Sequence, residues 1–419
     1  MLGRLHQCLW IACLVLSVAH AHGQTLPTGV YGPYDGSPPM SGEPVDPNIV
    51  QELLPADRGL WWDVDLRLNQ AIQDTSHGMW FRLEYLNTNI DNPGHTLLGA
   101  PLANIPDPRQ PFDILVPTGT TTGQVLDTSS VRFNNINGIR GTIGIPLAFG
   151  HVEGVFWGTQ NSVSRINTDL LPATNPFQQT QVIATSLLTN GQPGSTVLLY
   201  DAAFQAKYGS NVLSGEANIY YGYQNPTLGL RQLPVAGFRY IGYDESLNQQ
   251  GAFDNRSGVD VGGILINPIV HHINSAVDNN LFALQTGWRT EFTHQFFTLG
   301  AEPKVGLGWN HARARVKTID LRDSPFPPVV DDGLTTSTET RNLLTPFFDF
   351  GVYGKIHLNQ SFHLRIGWNY TLLSNMSRAD NNIYYNDNGT ANPPAVRARM
   401  SYENLWLSSF SIGGEWILP

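Results

Sequence analysis

The amino-acid sequence predicts an all-β protein: an up-and-down antiparallel transmembrane β-barrel of about ten strands, or twelve, with long extracellular loops and short periplasmic turns. Three observations favour this fold. Apolar residues alternate with polar ones, long and short connections alternate along the chain, and only 14% of the 419 residues are Asp, Glu, Lys or Arg. A typical soluble domain carries about 25% of these four residues.

Alternation of period two predicts half-buried strands and is the dominant pattern after the N-terminal segment. The stretch 362–370 (FHLRIGWNY) is the clearest case, because Phe, Leu, Ile, Trp and Tyr share one face while His, Arg, Gly and Asn share the other. Apolar groups at every second position also explain a mean hydropathy of only −0.18 in a membrane protein. The predicted strands are 79–86, 139–149, 151–160, 211–223, 231–243, 281–293, 296–310, 345–358, 361–373 and 402–418.

The connections between these segments alternate strictly in length. The long ones are 87–138, 161–210, 244–280, 311–344 and 374–401, and the short ones are 150, 224–230, 294–295 and 359–360. Up-and-down transmembrane barrels have long extracellular loops and short periplasmic turns, with an even number of strands. A soluble sandwich has no reason to keep every long loop at one end. Ten strands would also place both chain ends in the periplasm.

The N-terminal region is predicted to direct export. Arg4 precedes an apolar run from Leu9 to Val18, and Ala19-His20-Ala21 is a small-x-small cleavage site, so residues 1–21 are predicted to be a signal peptide. Cleavage after Gly23 is the alternative. Residues 22–58 are predicted to be a Pro/Gly-rich flexible periplasmic segment, and residues 59–419 the outer-membrane barrel. The stretch 60–68 fits either a strand or a short element at the barrel mouth.

Several phrases resemble a known family. They are residues 81–86 (FRLEYL), 213–219 (LSGEANI), 236–247 (AGFRYIGYDESL), 278–287 (DNNLFALQTG) and 304–310 (KVGLGWN). In order and spacing they resemble the putative beta-barrel porin family seven, planctomycete outer-membrane proteins of unknown function. The resemblance covers residues 79–310 well and the C-terminal strands more loosely. It implies an outer-membrane barrel and supplies no activity or catalytic residues. The chain departs from many such barrels by ending in Trp416-Ile-Leu-Pro, not in an aromatic residue.

The face opposite the apolar one is predicted to line the lumen with polar side chains. A ten-stranded barrel is only slightly wider than eight-stranded ones, whose interiors are filled by side chains. Mixed charges therefore fit a packed network that holds the barrel closed, and a narrow polar pore is the alternative. The predicted lumen-facing residues are Arg82, Glu84, Glu216, Asn218, Arg239, Gln285, Arg289, Glu291, Lys304, Asp349, Lys355, His363 and Arg365.

Aromatic residues near the strand ends are predicted to form girdles at the two membrane interfaces. The candidates are Trp80, Tyr85, Trp157, Tyr220, Tyr221, Tyr223, Trp288, Trp309, Trp368, Tyr370, Trp406 and Trp416.

The function predicted from these features is that of a structural or porin-like outer-membrane protein. The alternatives are a surface adhesion or binding protein that uses the long loops, and a soluble exported glycan-binding β-sandwich. No enzyme, cofactor or metal site is predicted, because Gly-x-Ser-x-Gly and His-Glu-x-x-His are absent and both cysteines lie in the signal peptide. His271 and His272, in a predicted loop, are a poor metal pair, and Asp244-Glu245 is placed at a strand end.

The predicted partners follow from the outer-membrane location. They are outer-membrane lipid, the barrel-insertion machinery, and a permeating small solute or a surface ligand. Nucleic acid is excluded, because the formal net charge is −10.

Overall fold

The computed structural model describes residues 78–116, 119–147, 149–168, 181–194, 196–225, 229–253, 269–321, 333–387 and 396–418. Ten antiparallel strands form a ring in which each strand pairs with its neighbour in the chain and the last pairs with the first. They are β1 (Trp80–Ile90), β2 (Phe133–Leu147), β3 (Gly150–Thr159), β4 (Ala203–Tyr221), β5 (Leu230–Phe253), β6 (Ile269–Thr293), β7 (Phe297–Ile319), β8 (Leu334–His357), β9 (Phe362–Met376) and β10 (Glu403–Ile417).

The predicted up-and-down barrel is confirmed, and each of the ten predicted segments overlaps one strand of the ring. The predicted signal peptide, the Pro/Gly-rich segment and the stretch 60–68 lie outside the described residues. Among the described residues there is no helix with both the length and the apolar character needed to span a bilayer.

The outer face of the ring carries an apolar band one membrane thick. On β6 the band runs from Phe282 to Phe292, and these two residues with Leu284 and Trp288 are exposed on the outer face. Eleven residues match the 9–11 that a tilted membrane strand needs. We call this the lipid band. On β6, β7 and β8 it is bounded by Phe282, Trp309 and Leu344 at the long-loop end and by Phe292, Phe297 and Ile356 at the short-turn end.

Aromatic side chains mark both edges of the lipid band, but three of the predicted girdle residues point inward. Trp157 and Tyr220 are buried in the lumen. The centre of the Trp80 ring lies 5.0 Å from the centre of the lumen-facing His151 ring, in an edge-to-face arrangement. The prediction that these three residues belong to the girdles was wrong. It rested on their position near strand ends and not on which face of the strand they occupy. The side chain of Tyr223 is outside the described part of the chain. The remaining candidates lie on the outer face.

Strands β5 to β8 continue far beyond the lipid band, with 24, 25, 23 and 24 residues. The predicted long loops 244–280 and 311–344 are therefore largely strand, since β5 extends to Phe253, β6 begins at Ile269, β7 extends to Ile319 and β8 begins at Leu334. His271 and His272 lie within β6, not in a loop, and Asp244-Glu245 lies inside β5, not at its end. By the rule for such barrels, this long-loop end is extracellular.

Three of the long connections fold over this end of the barrel. We call the described parts of residues 91–132, 160–202 and 377–402 the loop plug. One sheet of the loop plug consists of the strands Phe112–Val116, Gly119–Val125, Gln181–Ser186 and Val197–Tyr200. A second sheet consists of Leu188–Thr189, Ile383–Asp387 and Val396–Ala398. Thr128–Ser130 is a short 3-10 helix capped by Asp127. Ser162–Thr168 pairs with β4, and Tyr223–Asn225 pairs with β5.

The main hydrophobic core lies between the loop plug and the inner wall of the extended strands. Wall residues of this core include Leu86, Phe133, Ile241 and Leu281, and plug residues include Leu98, Leu187, Ile383 and Met400, all buried in one contiguous cluster. Hydrogen bonds also tie the two parts, since the Asn279 amide of β6 donates to the Ser377 carbonyl at 2.8 Å. The extracellular half of the barrel is thus packed with protein.

Candidate functional site in the barrel lumen

At the level of the lipid band the lumen holds a network of buried charges. Seven cationic side chains and seven carboxylates face inward, so their formal charges cancel. The cations are Arg82, Arg140, Arg239, Arg289, Lys304, Lys355 and Arg365, and the carboxylates are Glu84, Glu153, Glu216, Glu291, Glu302, Asp349 and Glu415. We call this set the lumen network.

The centre of the lumen network joins Glu216 and Asp349 through two cations. Arg239 Nη1 lies 2.8 Å from Asp349 Oδ2, and Lys304 Nζ lies 2.9 Å from Glu216 Oε2. Each cation also approaches the other carboxylate, with Arg239 Nε 3.5 Å from Glu216 and Lys304 Nζ 3.7 Å from Asp349. The amides of Asn218 and Gln285 donate to the same Glu216 oxygen at 3.2 and 3.1 Å. Strands β4, β5, β6, β7 and β8 are thereby tied together.

Arg289 makes the most extensive contacts of the lumen network. Its Nη1 and Nη2 atoms donate to the two oxygens of Glu153 at 2.6 and 2.7 Å, and its Nε donates to Glu302 at 2.8 Å. The guanidinium stacks 4.0 Å from the centre of the Tyr220 ring, and the Tyr220 hydroxyl donates to Glu302 at 2.6 Å. Because Glu153 is on β3 and Glu302 is on β7, this one side chain spans the lumen.

Glu415 of β10 is contacted by side chains from β1, β8 and β9. Arg82 Nη1 lies 3.0 Å from one of its oxygens and Lys355 Nζ lies 2.8 Å from the other. His363 Nδ1 approaches the same carboxylate at 3.6 Å. These contacts close the ring where the first and last strands meet.

Glu84 and Glu291 are the two remaining carboxylates of the lumen network. Glu84 lies 3.4 Å from Arg365 and 3.9 Å from Arg140, and it accepts a hydrogen bond from the Ser411 hydroxyl. Glu291 lies towards the short-turn end and accepts from the Tyr353 hydroxyl at 2.5 Å.

Little space remains inside the network. The cavity it encloses has a volume of about 50 Å³, enough for a few water molecules. Arg365 Nη1 is buried without a hydrogen-bond partner among the described residues, so this donor is available to such waters. At this level charged side chains from opposite walls meet across the lumen.

The structure places the thirteen predicted lumen residues on the inner wall, with His363 and Lys355 the least buried of them. Four charged members of the network were missed: Arg140, Glu153, Glu302 and Glu415. The alternation of the strands could have predicted two of them. Glu302 lies two residues from the inward-facing Lys304, and Glu415 lies next to the outward-facing Trp416. Within the described residues, no three His, Cys, Asp or Glu side chains are grouped so as to hold a metal ion.

A second polar cluster attaches the loop plug to the barrel wall. Arg378 of the plug is buried, and its Nη2 lies 2.9 Å from Glu245 on β5. The Ala379 backbone N–H donates to the other oxygen of Glu245 at 3.1 Å. Arg378 also donates to the carbonyls of Asp91 and Asn92 at 3.0 and 3.3 Å. One guanidinium thus joins two plug segments to the wall.

Asp380, beside this cluster, is expected to make the stability of the loop plug depend on pH. The Tyr208 hydroxyl lies 2.8 Å from Glu245 and 2.7 Å from Asp380, and its single proton can serve only one carboxylate. Burial raises the pKa of Asp380 above its ordinary value of 3.8. The Asp380 carboxyl therefore binds a proton more tightly in the folded plug than in the unfolded chain. The contribution of Asp380 to the stability of the plug is full below pH 3.8 and is lost as pH rises through the raised pKa.

Comparison with Asp380→Asn isolates this effect. The melting temperature of Asp380→Asn minus that of the wild type should increase as pH rises from about 4, since the variant carries no titrating group there. A difference that stays constant with pH would contradict the assignment.

Comparison with known proteins identifies the family. No curated protein matches the chain. The outer membrane protease OmpT from Escherichia coli is 11% identical, with 82% of this chain and 97% of that one covered and a TM-score of 0.44. The translocator domain of the autotransporter NalP from Neisseria meningitidis is 10% identical, with 85% and 95% covered and a TM-score of 0.30. A Pseudomonas aeruginosa FadL homologue is 7% identical, with 81% and 90% covered and a TM-score of 0.17.

The family match covers the ring from the first residue of β1 into the last strand, since the family model spans residues 80–416. Together with the lipid band, it identifies the protein as an outer-membrane β-barrel surrounded by lipid. This chain belongs to the family described as Putative beta barrel porin-7.

Proposed function

We propose that the protein is a closed outer-membrane scaffold that holds the loop plug at the cell surface, and that it is not a diffusion pore. The observation that carries this proposal is the lumen network, which leaves a cavity of only about 50 Å³ at the level of the lipid band. The hydrophobic core between the loop plug and the barrel wall provides a second barrier on the extracellular side of the lumen network. Of the structural and porin-like functions predicted from the sequence, the structural one is favoured.

Permeation would require the lumen network to separate. Arg289 alone bridges Glu153 and Glu302 across the lumen, and all three side chains are buried. Separating such pairs without new partners leaves uncompensated charges, which costs about 3–5 kcal/mol for a single broken pair. A solute would have to part several pairs at once, so spontaneous opening would be rare.

Planar-bilayer recording tests the proposal directly. Purified barrel, shown to be folded by its heat-modifiable gel mobility, should insert without giving stable conductance steps. A sixteen-stranded porin treated in parallel supplies the positive control, because barrels of that size have open aqueous channels. Reproducible single-channel steps from the folded protein would rule out the closed scaffold.

A second candidate function is binding of a polar ligand at the cell surface, and a pocket in the loop plug favours it. The pocket has a volume of about 540 Å³ and is lined by Arg109, Gln124, Asp127 and Ser129 among others. Its size is within the range of small-ligand sites. Arg109 donates two hydrogen bonds to Asp107, at 2.8 and 3.0 Å, and both side chains are exposed. A glycan array probed with wild type and Arg109→Ala tests this candidate, and equal binding would count against it.

Three expectations from the sequence remain predictions within this proposal. They are export through a signal peptide, assembly by the barrel-insertion machinery, and the absence of enzymatic activity.

A further inference from the structure

A column of basic side chains stands on the outer face of β7, directly beyond the lipid band. His311 and Arg313 are exposed and Arg315 and Lys317 are half-buried, while Ala312, Ala314 and Val316 between them face the core. The pattern inverts the one found within the lipid band, where the outward residues are apolar. We call His311, Arg313, Arg315 and Lys317 the basic column.

The strands beside the basic column place uncharged residues in register with its upper two cations. Arg315 is paired in register with Ala276 on β6 and Thr338 on β8, and Lys317 with Asn274 and Thr336. Asp278 on β6 is the register partner of Arg313, and Glu339 on β8 is the register partner of the inward-facing Ala314. Thr and Asn side chains therefore flank the cations with hydrogen-bonding groups of no charge.

The height of the column relates it to the membrane surface. Trp309 is 60% exposed and ends the lipid band on β7. With about 3.4 Å per residue and a strand tilt near 40°, Arg313 stands about 10 Å and Lys317 about 20 Å beyond Trp309. The headgroup layer of a bilayer leaflet is about 5–8 Å thick. The basic column therefore begins in the headgroup layer and continues past it.

We propose that the basic column binds a phosphorylated glycolipid of the outer leaflet. Arg and Lys side chains match phosphate groups, and arginine can hold a phosphate through two parallel hydrogen bonds. A simple phospholipid headgroup would reach only the lower residues of the column, whereas a phosphorylated saccharide headgroup reaches along it. The flanking Thr336, Thr338 and Asn274 suit the sugar hydroxyls. The site lies on the outer wall and is independent of the closed lumen.

Native mass spectrometry of the detergent-purified full chain with added lipid A tests this site. Arg313→Gln/Arg315→Gln should weaken lipid A binding about thirtyfold, since each basic residue near an anionic surface adds roughly a factor of five. The matched control is Arg165→Gln/Lys207→Gln, which removes the same charge from an exposed register pair where Ser162–Thr168 meets β4. The control should bind lipid A like the wild type.

Two measurements on the wild-type protein keep the test decisive should the double variant fold poorly. Dephosphorylated lipid A should bind far more weakly than lipid A, and millimolar inorganic phosphate should displace lipid A only weakly because it lacks the acyl chains. Equal binding of the two lipids, equal weakening in both double variants, or full displacement by inorganic phosphate would each overturn the proposal.

Discussion

Replacing Arg289 with alanine is expected to destabilise the barrel by about 3–5 kcal/mol, the largest loss from any single change in the lumen network. Its guanidinium is the shared partner of Glu153 and Glu302, which would be left buried on opposite sides of the lumen. Lys304 approaches Glu302 at 3.4 Å and can compensate only one of the two. The measurement is the urea midpoint of the loss of heat-modifiable gel mobility in detergent.

Two other arginines provide graded controls. Arg231, at the rim and 34% exposed, is 3.9 Å from Glu291, so Arg231→Ala should cost less than about 1 kcal/mol. Arg239→Ala should fall between the two, because Lys304 also contacts both carboxylates that Arg239 serves. If Arg289→Ala does not fold, Arg289→Lys keeps the charge without the paired hydrogen bonds and should be milder. An Arg289→Ala barrel as stable as Arg231→Ala would refute the ranking.

The strands could be predicted from the sequence because the lipid band imposes a strong pattern. Outward residues there are mostly apolar and inward ones can be polar, so stretches such as 362–370 alternate over their whole length. The short turns follow from the same pattern, because they fall where alternation stops and resumes within a few residues.

The extended strands were missed for a physical reason. Beyond the lipid band the outer face meets water and the inner face meets the loop plug, so the phase of the alternation inverts. On β7 the change occurs between Trp309, which faces lipid, and Arg313, which faces water, while Ala312 faces the core. A pattern search that expects apolar residues on the outer face throughout therefore ends the strand at the membrane surface, although the strand continues.

The lumen network was only partly predictable, since glycine weakens the parity signal. Glu153 lies in a stretch with Gly150, Gly154 and Gly158, which carry no hydropathy. Which charges pair was beyond the sequence altogether. Arg289 and Glu153 are 136 residues apart and lie on strands that are not neighbours, so only the closed ring brings them together.

Replacing Arg378 with alanine is expected to release the loop plug while the barrel stays folded. Glu245 is buried and accepts from Arg378 and from the Ala379 backbone, so loss of the guanidinium leaves it underpaired, at a cost of about 3–5 kcal/mol. The loop segments should then become sensitive to protease, while heat-modifiable mobility persists. Adding Glu245→Gln should restore part of the protection, because the uncompensated charge is removed.

Conductance of the same variant distinguishes the two barriers in the barrel. Arg378→Ala alters only the extracellular half, so the lumen network should keep the bilayer conductance at the wild-type level. Arg397→Ala, which removes an exposed plug arginine lying 5.2 Å from the Tyr384 ring, should change neither protease sensitivity nor conductance. Stable channels from Arg378→Ala would show that the loop plug alone closes the barrel and that the lumen network does not seal it.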